Sequence, residues 1–186
     1  MVRDMIHGPS ITYDHFPSPR QVTLLAFDML TALKYLHTND IVHGNIKPSN
    51  IFLVRLPSPS PLFKLADFGL ATEGDGIPKQ RPDDYTAPEI HPRAAGKNLS
   101  ARRLYTAKAD VWSLGTVLLE MVAGERPRDW WNAKNDHEER VRRKREAVAD
   151  EIPAVLRRVL EGMLQPRPRR RTADQLLDDL PRRSGI

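Results

Sequence analysis

The sequence predicts a mainly α-helical domain that also carries a pair of short strands. Residues 22–36, 114–122 and 155–164 place apolar side chains at helical spacing. Two short runs of mainly apolar residues, 51–54 and 62–65, predict strands that a proline-rich stretch separates. With 186 residues, 40% of them hydrophobic, the chain suits one domain with a sizeable core.

Composition excludes several classes of function. The chain has no cysteine, which rules out disulfides and thiolate zinc sites, and its six histidines lack metal-ligand spacing. The most apolar stretch, residues 111–122, is too short and too interrupted to span a bilayer, and the N-terminus does not resemble a signal peptide. These features predict an intracellular protein, cytoplasmic or nuclear, with no membrane partner.

The chain is basic, with a formal net charge of +5. Much of the excess lies in two runs, residues 140–145 and 167–171. These runs could form a nuclear-import or nucleic-acid patch, or they could be a solvated helix face and a charged loop. No aromatic residues that could stack on bases are interleaved with them, which favours the second interpretation and argues against a nucleic-acid partner.

The first predicted helix has clear boundaries. Residues 1–16 show no clear periodicity, whereas Ser18 can cap a helix that has Pro19 in its first turn. Gln21 completes a capping box with Ser18. The helix is expected to end near Asn39, a residue that tolerates the left-handed conformation.

Loops are predicted at three places. Residues 57–61 contain three prolines, so they should be extended. Ser58 and Ser60 each precede a proline and could be phosphorylation sites, although a flexible surface loop is the simpler interpretation. Residues 74–76 (Gly-Asp-Gly) predict a turn rather than a phosphate-binding loop, since a third glycine and a following amphipathic helix are missing. Residues 91–106 are polar and irregular.

The second helix is expected to open at Asp110 and to end at Gly124. It is apolar over most of its length, which predicts that it is buried. Trp130 and Trp131 follow it and could form a partner site. Packing of these two indoles under a loop is the simpler interpretation.

The C-terminal third of the chain predicts three more helices. Residues 137–148 should form a highly charged one, Pro153 should start the next, and Thr172 and Gln175 form a second capping box before the last, which Pro181 stops. On the charged helix, i,i+4 spacing predicts two ion pairs, Glu138–Arg142 and Glu139–Arg143.

Four motifs follow one another along the chain. They are residues 43–50 (His-Gly-Asn-Ile-Lys-Pro-Ser-Asn), Asp67-Phe68-Gly69, Ala87-Pro88-Glu89 and residues 110–115 (Asp-Val-Trp-Ser-Leu-Gly). In this order they resemble the C-terminal lobe of a Ser/Thr-type eukaryotic protein kinase. The resemblance covers residues 1–186 and implies the helical lobe of the α+β protein kinase-like fold, with short hairpin strands beside the catalytic loop. By resemblance, residues 1–17 are a hinge remnant and a short helix.

The resemblance implies ATP and Mg²⁺ as cofactors and assigns roles to five residues. Asn50 and Asp67 would bind Mg²⁺, which prefers hard oxygen ligands. Lys47 would meet the transferred phosphate, and Phe52 would form part of the adenine floor. Asn45 occupies the position of the catalytic aspartate.

Further residues receive structural roles by resemblance. These are His43, Phe68, Gly69, Glu89, Asp110 and Arg171. Glu89 is expected to form a buried ion pair with Arg171, with Arg170 as the alternative partner. Asp110 is expected to accept hydrogen bonds from the backbone of residues 43–45. The alternative for Asp110 is a plain helix cap.

The chain departs from the family pattern at the catalytic position. An amide such as Asn45 has no basic site near neutral pH, so it cannot accept the hydroxyl proton as a general base does. Gly44 replaces an arginine that many kinases use to bind a phosphorylated activation segment, here residues 70–86. Pro82 stands where the family commonly has a threonine, three residues before Tyr85.

A second departure concerns the rest of the nucleotide site. The 186 residues contain no glycine-rich loop, strand lysine or partner glutamate for that lysine. The expected function is therefore that of a truncated kinase-like domain, a pseudokinase that binds protein partners and binds ATP and Mg²⁺ weakly or not at all. The alternative is an ATP-dependent Ser/Thr protein kinase with a protein substrate, of which this chain is a fragment.

Overall fold

The computed structural model describes residues 9–11, 18–54, 61–76, 82–90, 105–130 and 137–183. The helices are α1 (Pro19–Thr38), α2 (Ala107–Ala123), α3 (His137–Ala147), α4 (Ala154–Met163) and α5 (Ala173–Leu177). The strands are β1 (Ile41–Val42), β2 (Ile51–Val54), β3 (Leu62–Leu65) and β4 (Thr72–Glu73). The predicted fold class, mainly helical with a few short strands, is confirmed.

The two predicted strands form an antiparallel hairpin. Ile51 of β2 lies opposite Leu65 of β3, and the register runs to the pair Val54 and Leu62. Residues 9–11 lie along β2, since Ile11 N donates to the Ile51 carbonyl at 2.8 Å. Strand β2, which directly follows the loop of residues 43–50, is thus held by β3 and by residues 9–11.

Strands β1 and β4 pair antiparallel, with Ile41 opposite Glu73. The sequence did not predict them, because a strand of two residues has no measurable period-two pattern. The Gly74 amide donates to the Asp40 carbonyl and extends the contact. This small ribbon holds residues 43–50 beside residues 67–70.

Helix α1 begins and ends as predicted. Ser18 and Gln21 form the full capping box. The predicted end near Asn39 is confirmed, since Asn39 is the C-cap and its side-chain amide donates to the Tyr35 carbonyl. The left-handed conformation falls one residue later, on Asp40 with φ of 57°, whereas Asn39 has φ of −95°.

Helix α2 forms the centre of the core, and its predicted start is wrong. It begins at Ala107 after Thr106, one turn earlier than expected. Asp110 therefore lies inside the helix, where its side chain is fully buried. The predicted end at Gly124 is confirmed, and this glycine has φ of 67°.

The apolar faces predicted for α1, α2 and α4 are buried together. Leu25, Leu33, Trp112, Leu118 and Leu160 have no exposed surface. Pro153 precedes α4, and the capping box of Thr172 with Gln175 opens α5, as predicted. None of the helices in the described residues is long and apolar enough to cross a membrane.

Charged helix α3 forms its ion pairs with a partly different pattern. Glu139 binds Arg143 as predicted and also Arg142. The predicted Glu138–Arg142 pair is wrong, because Arg142 is held between Glu139 and Glu146. These contacts offset part of the charge of the basic run of residues 140–145. The interpretation as a solvated face holds for Arg142 and Arg143, which are exposed, whereas Arg140 is buried.

The hairpin is fixed to α1 through Asp28. This buried carboxylate accepts the Phe63 amide at 3.0 Å and Nε of Arg183 at 2.7 Å. Trp130 is half-buried against the core and donates to the Glu125 carbonyl, which supports packing rather than a partner site. Trp131, Ser58, Ser60 and most of the loop predicted for residues 91–106 lie outside the described residues.

Candidate functional site

Asp110 anchors the loop formed by residues 43–50. Its Oδ2 accepts the His43 amide at 2.8 Å and its Oδ1 accepts the Gly44 amide at 2.9 Å. The predicted hydrogen bonds are therefore present. The alternative of a plain helix cap is wrong, since Thr106 occupies the cap position.

His37 is a third donor to the same carboxylate. Its Nε2 lies 3.1 Å from Oδ2 of Asp110. Sequence reasoning did not assign it a role, because 73 residues separate it from Asp110 and nothing local links the two. Three donors on a carboxylate without exposed surface make a rigid, charge-assisted anchor for the loop.

Gly44 has a backbone conformation that suits glycine. Its φ is +73°, and a Cβ there would lie 3.4 Å from the Leu70 carbonyl oxygen. L-residues with side chains rarely adopt this conformation. Glycine therefore lets the chain adopt this conformation without strain at the residue that donates to Oδ1 of Asp110.

His43 connects the loop to the Asp67-Phe68-Gly69 turn. Its Nδ1 accepts the Asn45 amide at 3.2 Å, so Nε2 carries the proton and donates to the Ala66 carbonyl at 3.1 Å. Burial lowers the pKa of His43, which keeps the ring neutral. The ring also meets Phe68 edge to face, with centroids 4.9 Å apart.

Three of the predicted site residues lie together. The Asn45 side-chain amide Nδ2 donates to Oδ2 of Asp67 at 2.9 Å. The Asn50 amide Nδ2 donates to the Asn45 carbonyl at 2.8 Å. Asn45 and Asn50 are buried and Asp67 is exposed, so the carboxylate marks the surface of the site.

The donor set fits a magnesium ion that brings its own oxygen ligands. Since Asn50 uses its amide nitrogen inside the loop, its amide oxygen remains to ligate a metal beside Asp67. A carboxylate and an amide oxygen suit Mg²⁺, which usually keeps waters or phosphate oxygens as further ligands. Across the described ranges, no group of three or more His, Asp or Glu could hold a metal alone.

The other predicted site residues lie on the open side of this cluster. Lys47 is half-buried, and its ammonium makes no ion pair with a described residue. Phe52 lies on β2 and is half-exposed. Phe68 and Gly69 are exposed. Within the described part of the chain, these residues are therefore partly or largely accessible to solvent.

Glu89 forms its ion pair with Arg170. Oε1 lies 2.7 Å from Nη1 and Oε2 lies 3.0 Å from Nη2, so the pair is bidentate. Arg170 also donates to the carbonyls of Lys108 and Gln165. Its guanidinium stacks 4.8 Å from the ring centroid of Trp112, and the side chain has no exposed surface.

The prediction of Arg171 as the partner of Glu89 is therefore wrong, and the alternative, Arg170, is correct. Arg171 binds Asp179 and the Gln175 carbonyl instead. The two arginines lie just before the cap of α5, outside any helix. The two side chains bind different partners, Arg170 to Glu89 and Arg171 to Asp179.

A further buried contact joins the segment of residues 82–90 to α2. The Tyr85 hydroxyl donates to Oε2 of Glu120 at 2.7 Å, and Glu120 is 2% exposed. Burial raises the pKa of Glu120 to about 7 and raises the pKa of Tyr85 as well. Sequence reasoning missed this pair, although Glu120 stands out as the only charged residue among the apolar residues 117–122.

The burial of Glu120 predicts a pH dependence of stability, because burial raises the pKa of this carboxyl more than the hydrogen bond from Tyr85 lowers it. In the unfolded chain Glu120 titrates near 4.5, whereas the folded protein holds the proton to a pH of about 7. The stability that protonated Glu120 contributes is complete below pH 4.5 and is lost as the pH rises through 7. Each pKa unit corresponds to about 1.4 kcal/mol, so the loss is on the order of 3 kcal/mol.

Glu120→Gln should remove this dependence, because the amide oxygen still accepts the Tyr85 hydroxyl and carries no charge. Urea unfolding at pH 5 and pH 8 should show the variant more stable than the native protein at pH 8 by about 1–3 kcal/mol. Glu161→Gln, an exposed position on α4, is the matched control. If the free energy of unfolding of Glu120→Gln changes between pH 5 and pH 8 as much as that of the native protein does, the account is refuted.

Comparisons with known proteins agree with the resemblance to protein kinases. Residues 4–180 match the family of the protein kinase domain. The chain is 34% identical to the serine/threonine-protein kinase chk-1 of Caenorhabditis briggsae, over 81% of this chain and 30% of that protein. It is 31% identical to mitogen-activated protein kinase kinase kinase 4 of Homo sapiens, over 84% of this chain and 10% of that protein. The chain thus spans less than a third of the length of these relatives.

Proposed function

Because the chain belongs to the protein kinase family, we propose that it is a kinase-like C-terminal lobe that acts through protein partners and does not itself transfer phosphate. The observation that carries this proposal is the contact between Asn45 and Asp67. At the position where an active kinase holds its base, this site holds an amide that donates a hydrogen bond.

The missing base is the first support. Transfer to a hydroxyl needs a group that accepts its proton, and such a group is worth roughly 10²–10⁴ in rate. An amide has no basic site near neutral pH. Asn45 could orient a hydroxyl, but it could not take the proton.

The open nucleotide side is the second support. Asp67, Phe68 and Gly69 are exposed, and the 186 residues provide no glycine-rich loop or strand lysine for the phosphates. Tight nucleotide sites bury most of the ligand. We therefore expect this chain to bind Mg²⁺ and ATP weakly or not at all.

Exposed apolar side chains support a role in protein binding. Phe68 has 48% of its surface exposed, and Phe52, Leu53 and Leu65 on the hairpin are partly exposed. Apolar side chains that are exposed to solvent can mark a protein contact surface. This surface is the one that we propose for a protein partner.

A second candidate is an ATP-dependent Ser/Thr protein kinase of which these residues form a part. Asp67 and Asn50 retain the oxygen donors for Mg²⁺, and Lys47 lies in the same loop as Asn50. The similarity to the serine/threonine-protein kinase chk-1 supports it as well. Its substrate would be a protein serine or threonine.

A labelled-ATP transfer assay separates the two candidates. The purified chain is offered a serine- and threonine-rich protein, and Asp67→Ala serves as the blank. We expect no transfer above the blank, and none from Asn45→Asp either, because catalytic groups that act as a unit are not restored one at a time. Transfer above the blank by the native chain would favour the second candidate.

A further inference from the structure

Asp67 has a strained backbone that something must hold. Its φ is 65° and its ψ is 71°, in the left-handed region that few residues other than glycine adopt. The residue is exposed, so packing contributes little to its position. Residues in this region persist only where their surroundings fix them.

The side chain of Asn45 holds Asp67 through a hydrogen bond in which Asn45 is the donor. An ionised carboxylate only accepts hydrogen bonds, so the atom 2.9 Å from Oδ2 of Asp67 is the amide nitrogen of Asn45. The Asn45 backbone is itself fixed, because its amide donates to His43 and its carbonyl accepts from Asn50. The donor thus projects from a rigid, buried loop.

The neutral side chain of Asn45 decides whether a cation is needed beside Asp67. Because Asn45 is neutral, the negative charge of the Asp67 carboxylate lies next to a hydrogen-bond donor. An aspartate at position 45 would set two carboxylates at the same short distance, and such a pair is stable only if a cation or a proton lies between them. The native residue removes that requirement.

We propose that Asn45 is a positioning residue that holds the Asp67 carboxylate in place without a bound cation. The 43–50 loop and the Asp67-Phe68-Gly69 turn are then fully ordered in the absence of metal, and Mg²⁺ adds little to their stability. This inference does not depend on whether the lobe transfers phosphate, because it concerns folding and metal response alone.

Thermal unfolding in EDTA and in Mg²⁺ tests the proposal on three proteins. The native chain should unfold at nearly the same temperature in both. Asn45→Asp should unfold roughly 3–10 °C lower in EDTA and regain much of that loss in Mg²⁺. The exchanged variant, Asn45→Asp with Asp67→Asn, restores one donor and one acceptor and should match the native chain in EDTA.

Ser49→Asp is the control for added charge, because it places a carboxylate at an exposed position of the same loop. It should show neither the loss in EDTA nor the gain in Mg²⁺. Two outcomes would overturn the proposal: an exchanged variant no more stable than Asn45→Asp, or a native chain that Mg²⁺ stabilises as much as it stabilises Asn45→Asp. If Asn45→Asp does not fold, the proposal is still tested by whether the exchanged variant unfolds at the same temperature as the native chain in EDTA.

Discussion

Replacing Arg170 with alanine is expected to lower the free energy of unfolding by about 3–5 kcal/mol. The Arg170 side chain has no exposed surface, and its guanidinium binds both oxygens of Glu89 and two backbone carbonyls. Its loss leaves a largely buried carboxylate without its cation. For a chain of this size the unfolding midpoint should fall by about 10 °C.

The neighbouring arginines provide matched controls for this experiment. Arg169→Ala removes an exposed arginine of the same segment and should change the free energy of unfolding by less than about 0.5 kcal/mol. Arg171→Ala removes a partly exposed ion pair with Asp179 and should cost about 1 kcal/mol. A larger loss for Arg171→Ala than for Arg170→Ala would contradict the assignment of the buried pair.

Asp110→Asn is expected to lower the free energy of unfolding by about 2–4 kcal/mol, because buried donors that lose their acceptor cost about 1–3 kcal/mol each. The amide keeps one acceptor oxygen but turns an NH₂ group toward the donors on His43, Gly44 or His37. The loop should loosen before the rest of the fold does.

Hydrogen exchange of the His43 and Gly44 amides measures that loosening directly. Their exchange should accelerate in Asp110→Asn, while amides in the middle of α1 should respond only to the global loss of stability. Asp150→Asn, at an exposed position after α3, is the control. Unchanged protection of both loop amides would show that Asp110 is not their anchor.

The sequence predicted correctly those helix ends that are set by hydrogen bonds between residues close in the chain. The capping boxes at Ser18 and Thr172 appear in the structure at the predicted residues, as does the helix end at Gly124. Each of these features is decided within one helical turn. Periodicity likewise predicted which faces of α1 and α4 are buried.

Where sequence reasoning failed, the decision depended on distant contacts. Asp110 is drawn inward by the loop at His43, so it does not cap α2. Arg170, not Arg171, binds Glu89, and at a separation of 81 positions the sequence does not indicate which arginine does so. The Tyr85–Glu120 pair was missed for the same reason, since no motif connects its two members.

The candidate site was predicted by resemblance more than by any physical pattern. The motifs named Asn45, Asn50 and Asp67, and the structure brings the three together. The direct hydrogen bond between the side chains of Asn45 and Asp67 was not predicted, because 22 residues separate them. The roles of Lys47 and Phe52 remain predictions.

A fusion tests the central claim, that Asn45 cannot serve as the base, most directly. The glycine-rich loop and strand lysine of an active protein kinase are placed before residue 1, and phosphate transfer from labelled ATP is measured with Asn45 and with Asn45→Asp. Transfer by the native fusion should stay near an Asp67→Ala blank, and Asn45→Asp should raise it by roughly 10²–10⁴. Equal rates from the two fusions, both well above the blank, would contradict the account.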